Sequence, residues 1–502
     1  MKRFIVKAFA NRTIRKNKIW IENPIDAQRT TFNLLIKKGR KTKFGKDRKF
    51  DQINSYQDYK KAVDIATYED LKPYIDLILK GHKNVLWPGQ PKYLSKTSGT
   101  TSGIKYIPIT KESLPYYIIA ARDAILNYIY QTGKTDFVLG KQIFLQGSPK
   151  LDFQNGVAIG RLSGIVAHHV PKYLQKNRMP SWETNCIEDW EKKVDRIVDE
   201  TLHKKMSIIA GIPPWVKMYF EKIIEKVNTP VGDHFSDFSL FIYGGVNYEP
   251  YRQTFETLIG KKIDSIETYP ASEGFIAYQD QLDKKDLLLL VNGGIFYEFI
   301  KLKDVNQPKP ERISLKDVEL NVDYVLLLTT NAGLWAYDIG DTVRFTSILP
   351  YRILVTGRVK HFISAFGEHV IGSEVEYALK KASEKIGESV QVNEFTVAPQ
   401  VNPTSGLPLH EWYIEFQTIP KNIGEFELLI DDALQFKNLY YQDLVVGKII
   451  RPLKIKQVKP GGFNSYMRDI GKLGGQNKVP RLSNNRKVVN GLQPYLKTKP
   501  EI

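Results

Sequence analysis

The stretch from Ser95 to Pro108, SKTSGTTSGIKYIP, constrains the fold more than any other part of the chain. It gathers hydroxyl residues and glycines around Lys105 and is flanked by apolar, β-branched chain, Tyr93-Leu94 before it and Tyr106-Ile107 with Ile109 after it. A loop of this kind turns several backbone N–H groups and hydroxyl donors towards one anion and sets a lysine beside them as a point charge. A flexible linker shares the composition but has no reason to lie between two strand-like runs. The pattern predicts two strands joined by a phosphate cradle. It is not a Walker loop, because no Gly-Lys-Ser/Thr closes it.

The chain before this loop reads as helical. Asn23-Pro24 is an N-cap followed by proline in the first turn, leading an amphipathic helix to Gly39, and a second helix runs from Tyr68 to Lys80 and ends at Gly81. After the loop, Lys111 to Tyr130 is helical by periodicity, with Arg122 opposed by Asp123 in an otherwise apolar stretch. Apolar runs at Ile143 to Leu145 and Ser207 to Ile212 then alternate with helical material such as Ile187 to Leu202. That alternation predicts an α/β architecture.

Three later stretches place chemistry at strand ends. Phe238 to Tyr243 is a buried-strand pattern running into Gly244-Gly245, with a helix expected from Glu249-Pro250 to Gly260. Glycine there lets a flat ring or a phosphate approach the backbone at the carboxyl end of a strand, where open α/β sheets bind ligands. Ile263 to Thr268 is another strand, ending in Tyr269-Pro270-Ala271-Ser272-Glu273-Gly274. Its ring, hydroxyl and carboxylate suit a base, a phosphate and Mg2+; a turn with a surface glutamate is the plain alternative. The third, WAYDIGDTVRF from Trp335 to Phe345, sets Asp338 and Asp341 on either side of Gly340. A turn is predicted there, with Asp341 placed to reach vicinal ribose hydroxyls.

Beyond Val355 the texture changes. Gly357-Arg358 and Lys360-His361 form a polar joint, and Ser373 with Glu376 spells a capping box for a helix to Lys385. Strands are expected at Gln391 to Val397 and Trp412 to Phe416, and a helix near Gly424 to Phe436. The predicted organisation is a large N-terminal α/β domain, residues 1–356, and a smaller mobile C-terminal α+β domain, 357–502. In the basic tail, Lys478 sits on the glycine-rich run GGQNKVPR at Gly474 to Arg481. A lysine so placed can meet negative charge that develops in a transition state; a solvated surface is the alternative.

Composition narrows the class of protein. A chain of 502 residues with 42% hydrophobic content is neither disordered nor a single small domain. One cysteine, Cys186, makes no intramolecular disulfide and predicts a reducing, cytoplasmic setting. Lys7 and Arg12 interrupt the basic N-terminus too soon for a signal-peptide core, and the longest purely apolar run, Leu287 to Val291, is far short of a membrane span. No membrane association is expected. The formal net charge of +18 favours anionic partners. Because the lysines are scattered and no arginine–aromatic module appears, nucleic acid is not expected among them.

In this order the pieces resemble the adenylate-forming superfamily of acyl-CoA synthetases, luciferases and peptide-synthetase adenylation domains. SGTTSGIK at Ser98 to Lys105 is similar to its phosphate loop, YPASE at Tyr269 to Glu273 to its ATP and Mg2+ motif, and YDIGD at Tyr337 to Asp341 to its ribose motif. Gly357-Arg358 is similar to its domain joint and KVPR from Lys478 to its C-terminal lysine motif. The spacers VDIATYEDLKPYI from Val63, NVLWPG from Asn84, IEDWEKKVDRIVDET from Ile187, GGIFYEFI from Gly293 and GGQNKVPRL from Gly474 more closely resemble the auxin-responsive acyl acid amido synthetases. That family joins carboxylic acids to amino acids in plants and has bacterial relatives. The joint departs from the pattern: Lys360-His361 replaces an acidic pair after Gly-Arg.

The resemblance implies a ligase that adenylates a carboxylic acid with ATP and Mg2+, then passes the acyl group to an amino acid amine. It implies that Ser98, Gly99, Thr100, Thr101 and Lys105 hold phosphates, that Gly244, Gly245 and Tyr269 frame adenine, and that Ser272 bonds phosphate. Glu273 would hold Mg2+, Asp341 and Arg358 the ribose, Lys478 the α-phosphate during adenylation, and Arg122 the acyl carboxylate. Tyr116, Tyr117, His168 and His169 are candidates for the acyl pocket, with ordinary core roles as the alternative. An acyl-CoA synthetase with a thiol acceptor is the alternative function. A catalytically silent nucleotide- or nucleic-acid-binding protein is the third reading.

Overall fold

The computed structural model describes residues 2–98, 104–245, 248, 252–358, 362–363, 365–366, 368, 370–387, 389–401, 403–446, 450–474, 478–483 and 485–497. Its helical start follows the local signals. After α1 (Lys2–Glu22), α2 (Pro24–Gly39) places Pro24 in its first turn, where the missing N–H costs nothing. α3 (Tyr68–Leu79) is capped at Thr67, whose N–H donates to Asp70 at 2.8 Å. The phosphate-cradle flanks are β1 (Tyr93–Ser98) and β2 (Ile104–Ile109), an antiparallel pair in which Ser98 faces Ile104. Residues 99–103 lie between them, outside the described residues.

The chain continues through α4 (Leu114–Thr132), β3 (Lys141–Phe144), β4 (Asp152–Gln154), β5 (Val157–Gly160), α5 (Leu162–Ala167) and β6 (Arg178–Met179). Then come α6 (Trp182–Asn185), α7 (Trp190–Thr201), β7 (Met206–Ala210), α8 (Pro213–Val227), β8 (Leu240–Gly244), β9 (Asp264–Ala271) and β10 (Gly274–Tyr278). β11 (Leu287–Leu289), β12 (Ile295–Lys301), β13 (Ile313–Ser314), β14 (Asp323–Thr330), β15 (Tyr337–Ile348) and β16 (Tyr351–Arg358) follow. A small sheet has the order β2-β1-β5-β4, and a large one β13-β12-β14-β15-β16-β11-β10-β9-β8-β7-β3-β6.

Strands β6, β3, β7, β8 and β9 run parallel to one another, so their carboxyl ends share one edge of the large sheet. This is the edge where an open α/β sheet places ligands. Among the parallel strands β7, Met206–Ala210, is a short apolar run buried on both faces.

Two compact units divide the chain. The first comprises Met1–Asn247, Glu256–Ile339 and Val343–Val355; the second comprises Tyr248–Phe255, Gly340–Thr342 and Thr356–Ile502. In the second unit, β17 (Phe362–Ile363) and β18 (Val370–Ile371) form a two-stranded sheet, and β19 (Gln391–Gln400), β20 (Leu409–Thr418) and β21 (Lys454–Val458) a second one of order β19-β20-β21, with α9 (Gly372–Lys385) and α10 (Ile423–Lys437) sharing its core. Fully buried Trp412 lies in that core, stacked on Phe395 at 5.9 Å.

Local structure departs from expectation at two places. Gly340 and its flanking aspartates do not form a turn but lie inside β15, where Gly340 adopts φ +82°. The capping box is displaced as well: α9 starts at Gly372, and Glu374, not Glu376, accepts the Ile371 N–H at 3.0 Å. Glu374 is the residue three beyond Ile371, the spacing that lets a side chain reach back to the cap.

Candidate functional site

At the shared carboxyl edge, Gly244 closes β8 directly opposite Thr268 of β9. A Cβ on Gly244 would stand 2.2 Å from the Thr268 carbonyl oxygen, so only glycine permits this approach. Gly245 follows with φ +78°, in the left-handed region. β9 runs past Gly244's partner through Tyr269, Pro270 and Ala271, then folds back into β10 with Ala271 facing Gly274. YPASE is therefore the end of a strand plus a two-residue hairpin tip, Ser272-Glu273, and not a loop after the strand. Pro270 fits because it lies beyond the last residue paired with β8, where its missing N–H leaves no gap.

Ser272 ties this hairpin to the phosphate-loop strand. Its Oγ lies 3.1 Å from the Oγ of buried Ser95 on β1, although the two are 177 residues apart in the chain. The Tyr117 hydroxyl, from α4, donates to the Ser272 carbonyl at 2.7 Å. Burial first, and the Glu273 carboxylate second, push the Tyr117 phenol well above its ordinary range, so it remains a donor. Lys105 faces Thr97 across the β1–β2 pair, with Nζ 5.6 Å from the ring centre of Tyr68, whose hydroxyl accepts the Tyr106 N–H.

The first unit thus brings Gly244, Gly245, Ser272 and Glu273 to one edge, tied through Ser95 to the strand that leads into the cradle. Ser98 ends β1, its side chain beyond description; Gly99, Thr100 and Thr101 lie outside the described residues. Tyr269 is buried in the core formed with Ile276 and Leu289. Glu273 is half-buried. Among the described residues no group of three or more His, Cys, Asp or Glu could hold a metal ion. A divalent ion beside Glu273 would draw its other oxygens from phosphates and water, which is how Mg2+ is commonly bound.

Asp341, Arg358 and Lys478 belong to the second unit. Asp341 is buried on β15, next to Thr342, whose Oγ1 accepts from Thr356 Oγ1 at 2.9 Å. Arg358 ends β16, its side chain beyond description. Lys478 is exposed, but the chain just after it is pinned to β19. Thr396 Oγ1 donates to the Pro480 carbonyl at 2.6 Å, the Val397 N–H to the Arg481 carbonyl at 2.9 Å, and the Arg481 guanidinium lies 4.5 Å from the Phe395 ring centre and pairs with Glu394. The chain that follows Lys478 is therefore a fixed stem.

Arg122 does not join this group. It follows Tyr117 by five residues on α4, about 140° round the helix. Its Nη2 donates to Asp123 at 2.7 Å and its guanidinium packs over Phe9 of α1, while Asp123 also accepts from Asn17. The histidines are engaged too: His169 Nε2 lies 2.8 Å from the Tyr93 hydroxyl and His168 Nε2 lies 2.8 Å from the Pro149 carbonyl. Ser95, which links the two hairpins, carries no local signal that distinguishes it from its loop neighbours; only the tertiary contact singles it out.

The chain matches the GH3 family N-terminal domain over residues 14–167, the central domain over 288–358 and the C-terminal domain over 373–487. It is similar to an indole-3-acetic acid-amido synthetase of Arabidopsis thaliana, 29% identical over 197 residues, which are 37% of this chain and 33% of that protein. A jasmonoyl–L-amino acid synthetase of Oryza sativa subsp. japonica is 23% identical over 529 aligned positions, covering 88% of this chain and 90% of its own. Among solved structures, the GH3.15 acyl acid amido synthetase shares the fold with a TM-score of 0.80 at 17% identity, over 97% of this chain and 96% of that one.

Proposed function

The chain belongs to the GH3 family, and from that premise we propose that it is an ATP-dependent acyl acid amido synthetase. A substrate carboxylate attacks the α-phosphorus of ATP, breaking the bond to the bridging oxygen and releasing pyrophosphate. The amine of an amino acid then attacks the acyl carbonyl, loses a proton to solvent and expels AMP. The observation that carries this reading is the Ser95–Ser272 contact, which ties the strand entering the hydroxyl-glycine loop to a carboxylate-bearing hairpin at the ligand edge of the sheet.

In this reading the hydroxyls and N–H groups of residues 98–101 and Lys105 take the phosphates. Gly244, Gly245 and Tyr269 border adenine, Ser272 bonds a phosphate, and Asp341 and Arg358 take the ribose. Lys478, on its fixed stem, meets the charge that grows on the α-phosphate, so it acts mainly on the transition state. Glu273 would hold Mg2+, which when bound neutralises phosphate charge. Arg122 is retained as a candidate for the acyl carboxylate only if Asp123 releases it. Among the described residues no helix is long and apolar enough to cross a membrane, and we place the enzyme in the cytoplasm, where ATP and a reduced Cys186 are both expected.

Acid-dependent exchange of labelled pyrophosphate into ATP, over a panel of aromatic, aliphatic and amino carboxylic acids, tests the first half-reaction. Mass spectrometry of products formed with mixed amino acids, and separately with CoA, tests the second. Amide products support the reading. A thioester as the only product, or exchange with no acid of the panel, overturns it.

A further inference from the structure

A cationic cluster outside the site described above remains to be accounted for. β5 runs parallel to β1 with Gly160 opposite Ser95, so Arg161, the next residue, leaves the small sheet about one strand spacing, roughly 4.8 Å, from the chain that bonds Ser272. Arg161 is half-buried, and its guanidinium makes no hydrogen bond or ion pair with any described residue. Burial alone holds its guanidinium below the usual arginine range. Its stem lies against Gly147, where a Cβ would meet Arg161 Cδ at 2.8 Å. Gly147 thus keeps the guanidinium beside the segment that leaves β3 at the ligand edge of the large sheet.

Unused donors lie close to it along the chain, on Gln146, which precedes Gly147, and on Ser163. Gln146 is 2% exposed, and its Nε2 has no partner among the described residues; the buried Oγ of Ser163, two residues after Arg161, has none either. Lys193 of α7 is 1% exposed and donates to the carbonyls of Gln146 at 2.9 Å and Asn185 at 2.8 Å. Its pKa is depressed to about 8 by burial, with the charge of Arg161 adding to the depression and Cys186 opposing it. A buried amide donor left unmade costs about 1–3 kcal/mol, and a buried guanidinium without a counter-charge costs more. An arrangement of a planar fork, an amide N–H and a hydroxyl at the ligand edge is complementary to a carboxylate.

We propose that Arg161, with Gln146 and Ser163, binds the α-carboxylate of the acceptor amino acid. This rests on the amido synthetase reading. The acid substrate is the other source of a carboxylate, but its charge disappears when it becomes an acyl adenylate. The acceptor's α-carboxylate stays anionic through both half-reactions, and a permanently charged guanidinium suits it.

The test uses the full-length chain with Arg161→Gln and Arg161→Lys, and hydroxylamine as an acceptor without a carboxylate. With Arg161→Gln, pyrophosphate exchange and hydroxamate formation stay within about twofold of wild type. The KM for the amino acid rises on the order of 10- to 100-fold, as expected for a lost charge-assisted bond. The wild type's preference for the amino acid over its carboxamide disappears in this variant, and Arg161→Lys restores part of it. An unchanged amino acid KM overturns the proposal; so does exchange falling in the same proportion, which would assign the cluster to the acid substrate or to the fold. Should Arg161→Gln not fold, the wild type decides: equal use of amino acid and carboxamide overturns the assignment. A wild type that exchanges pyrophosphate with no acid sinks the amido synthetase reading first, and this assignment with it.

Discussion

Lys193 offers a stability test that depends on no assumption about substrate. Its ammonium is 1% exposed, and burial lowers its pKa from 10.5 to about 8. Between those values the unfolded chain binds a proton that the folded chain does not, so folded stability from this group rises as pH increases across the window. A shift of this size corresponds to about 3 kcal/mol, taking roughly 1.4 kcal/mol for each pKa unit. Below the folded pKa the burden is present in full; near pH 10.5 it has gone. Lys193→Met removes the titrating group and also leaves the Gln146 and Asn185 carbonyls without their donor, but that loss is the same at every pH. Other lysines and tyrosines titrate alike in both proteins and cancel in the difference. Urea unfolding of wild type and Lys193→Met at pH 7, 8, 9 and 10 therefore gives a stability difference that moves in favour of wild type by about 2–3 kcal/mol across the series. Parallel pH dependences would refute the argument and mean that Lys193 is solvated or compensated by a carboxylate.

Lys478→Ala is expected to lower pyrophosphate exchange on the order of 100-fold or more while leaving the Kd for ATP within about twofold, since the contact proposed for it is made in the transition state; unchanged exchange removes it from the mechanism. Glu273→Gln raises the Mg2+ concentration needed for half-maximal exchange, and an unaltered magnesium titration counts against its metal role. Gly244→Ala forces a Cβ to within 2.2 Å of the Thr268 carbonyl, so β8 and β9 must separate at the ligand edge; the Kd for ATP should rise at least about tenfold, a loss of roughly 1.4 kcal/mol, and an unchanged value would show that the adenine lies elsewhere.

The sequence was most legible where one residue type answers one local need. Pro24 behind Asn23 and the Gly244-Gly245 pair each announce a backbone constraint that holds whatever the tertiary context. It was less legible where tertiary pairing decides. WAYDIGDTVRF reads as a turn because glycine lies between two aspartates, yet β15 passes straight through it. The neighbouring strands supply hydrogen bonds that outweigh the local preference. The strand from Ile263 reads as ending at Thr268, but it continues to Ala271, because Pro270 lies past the end of the β8 pairing and so costs the strand nothing there. Arg122 attracts attention as a charge on an apolar helix opposed by Asp123, and the fold adds that the pair lies on the side facing α1, with Asn17 donating to Asp123 and Phe9 under the guanidinium. Arg161 has the opposite history: nothing in GRLSG marks it, and its interest comes wholly from burial without a counter-charge.

Ser272 shows why structural and catalytic roles at this edge are coupled. A hydroxyl has one proton to donate, and in the structure Ser272 shares the Ser95 contact with a second hydroxyl that is itself 0% exposed. If Ser272 donates to a phosphate, its own oxygen can still accept from Ser95, so the hairpin contact survives ligand binding only with Ser95 as donor. In that case the nucleotide sets the direction of that one hydrogen bond. Tyr117 holds the same residue from the other side through its carbonyl, a bond whose donor cannot reverse because burial and Glu273 keep the phenol protonated. Under the proposed assignment, one fixed bond and one reversible bond on a two-residue hairpin tip would let Ser272 turn its proton towards a phosphate without releasing β1.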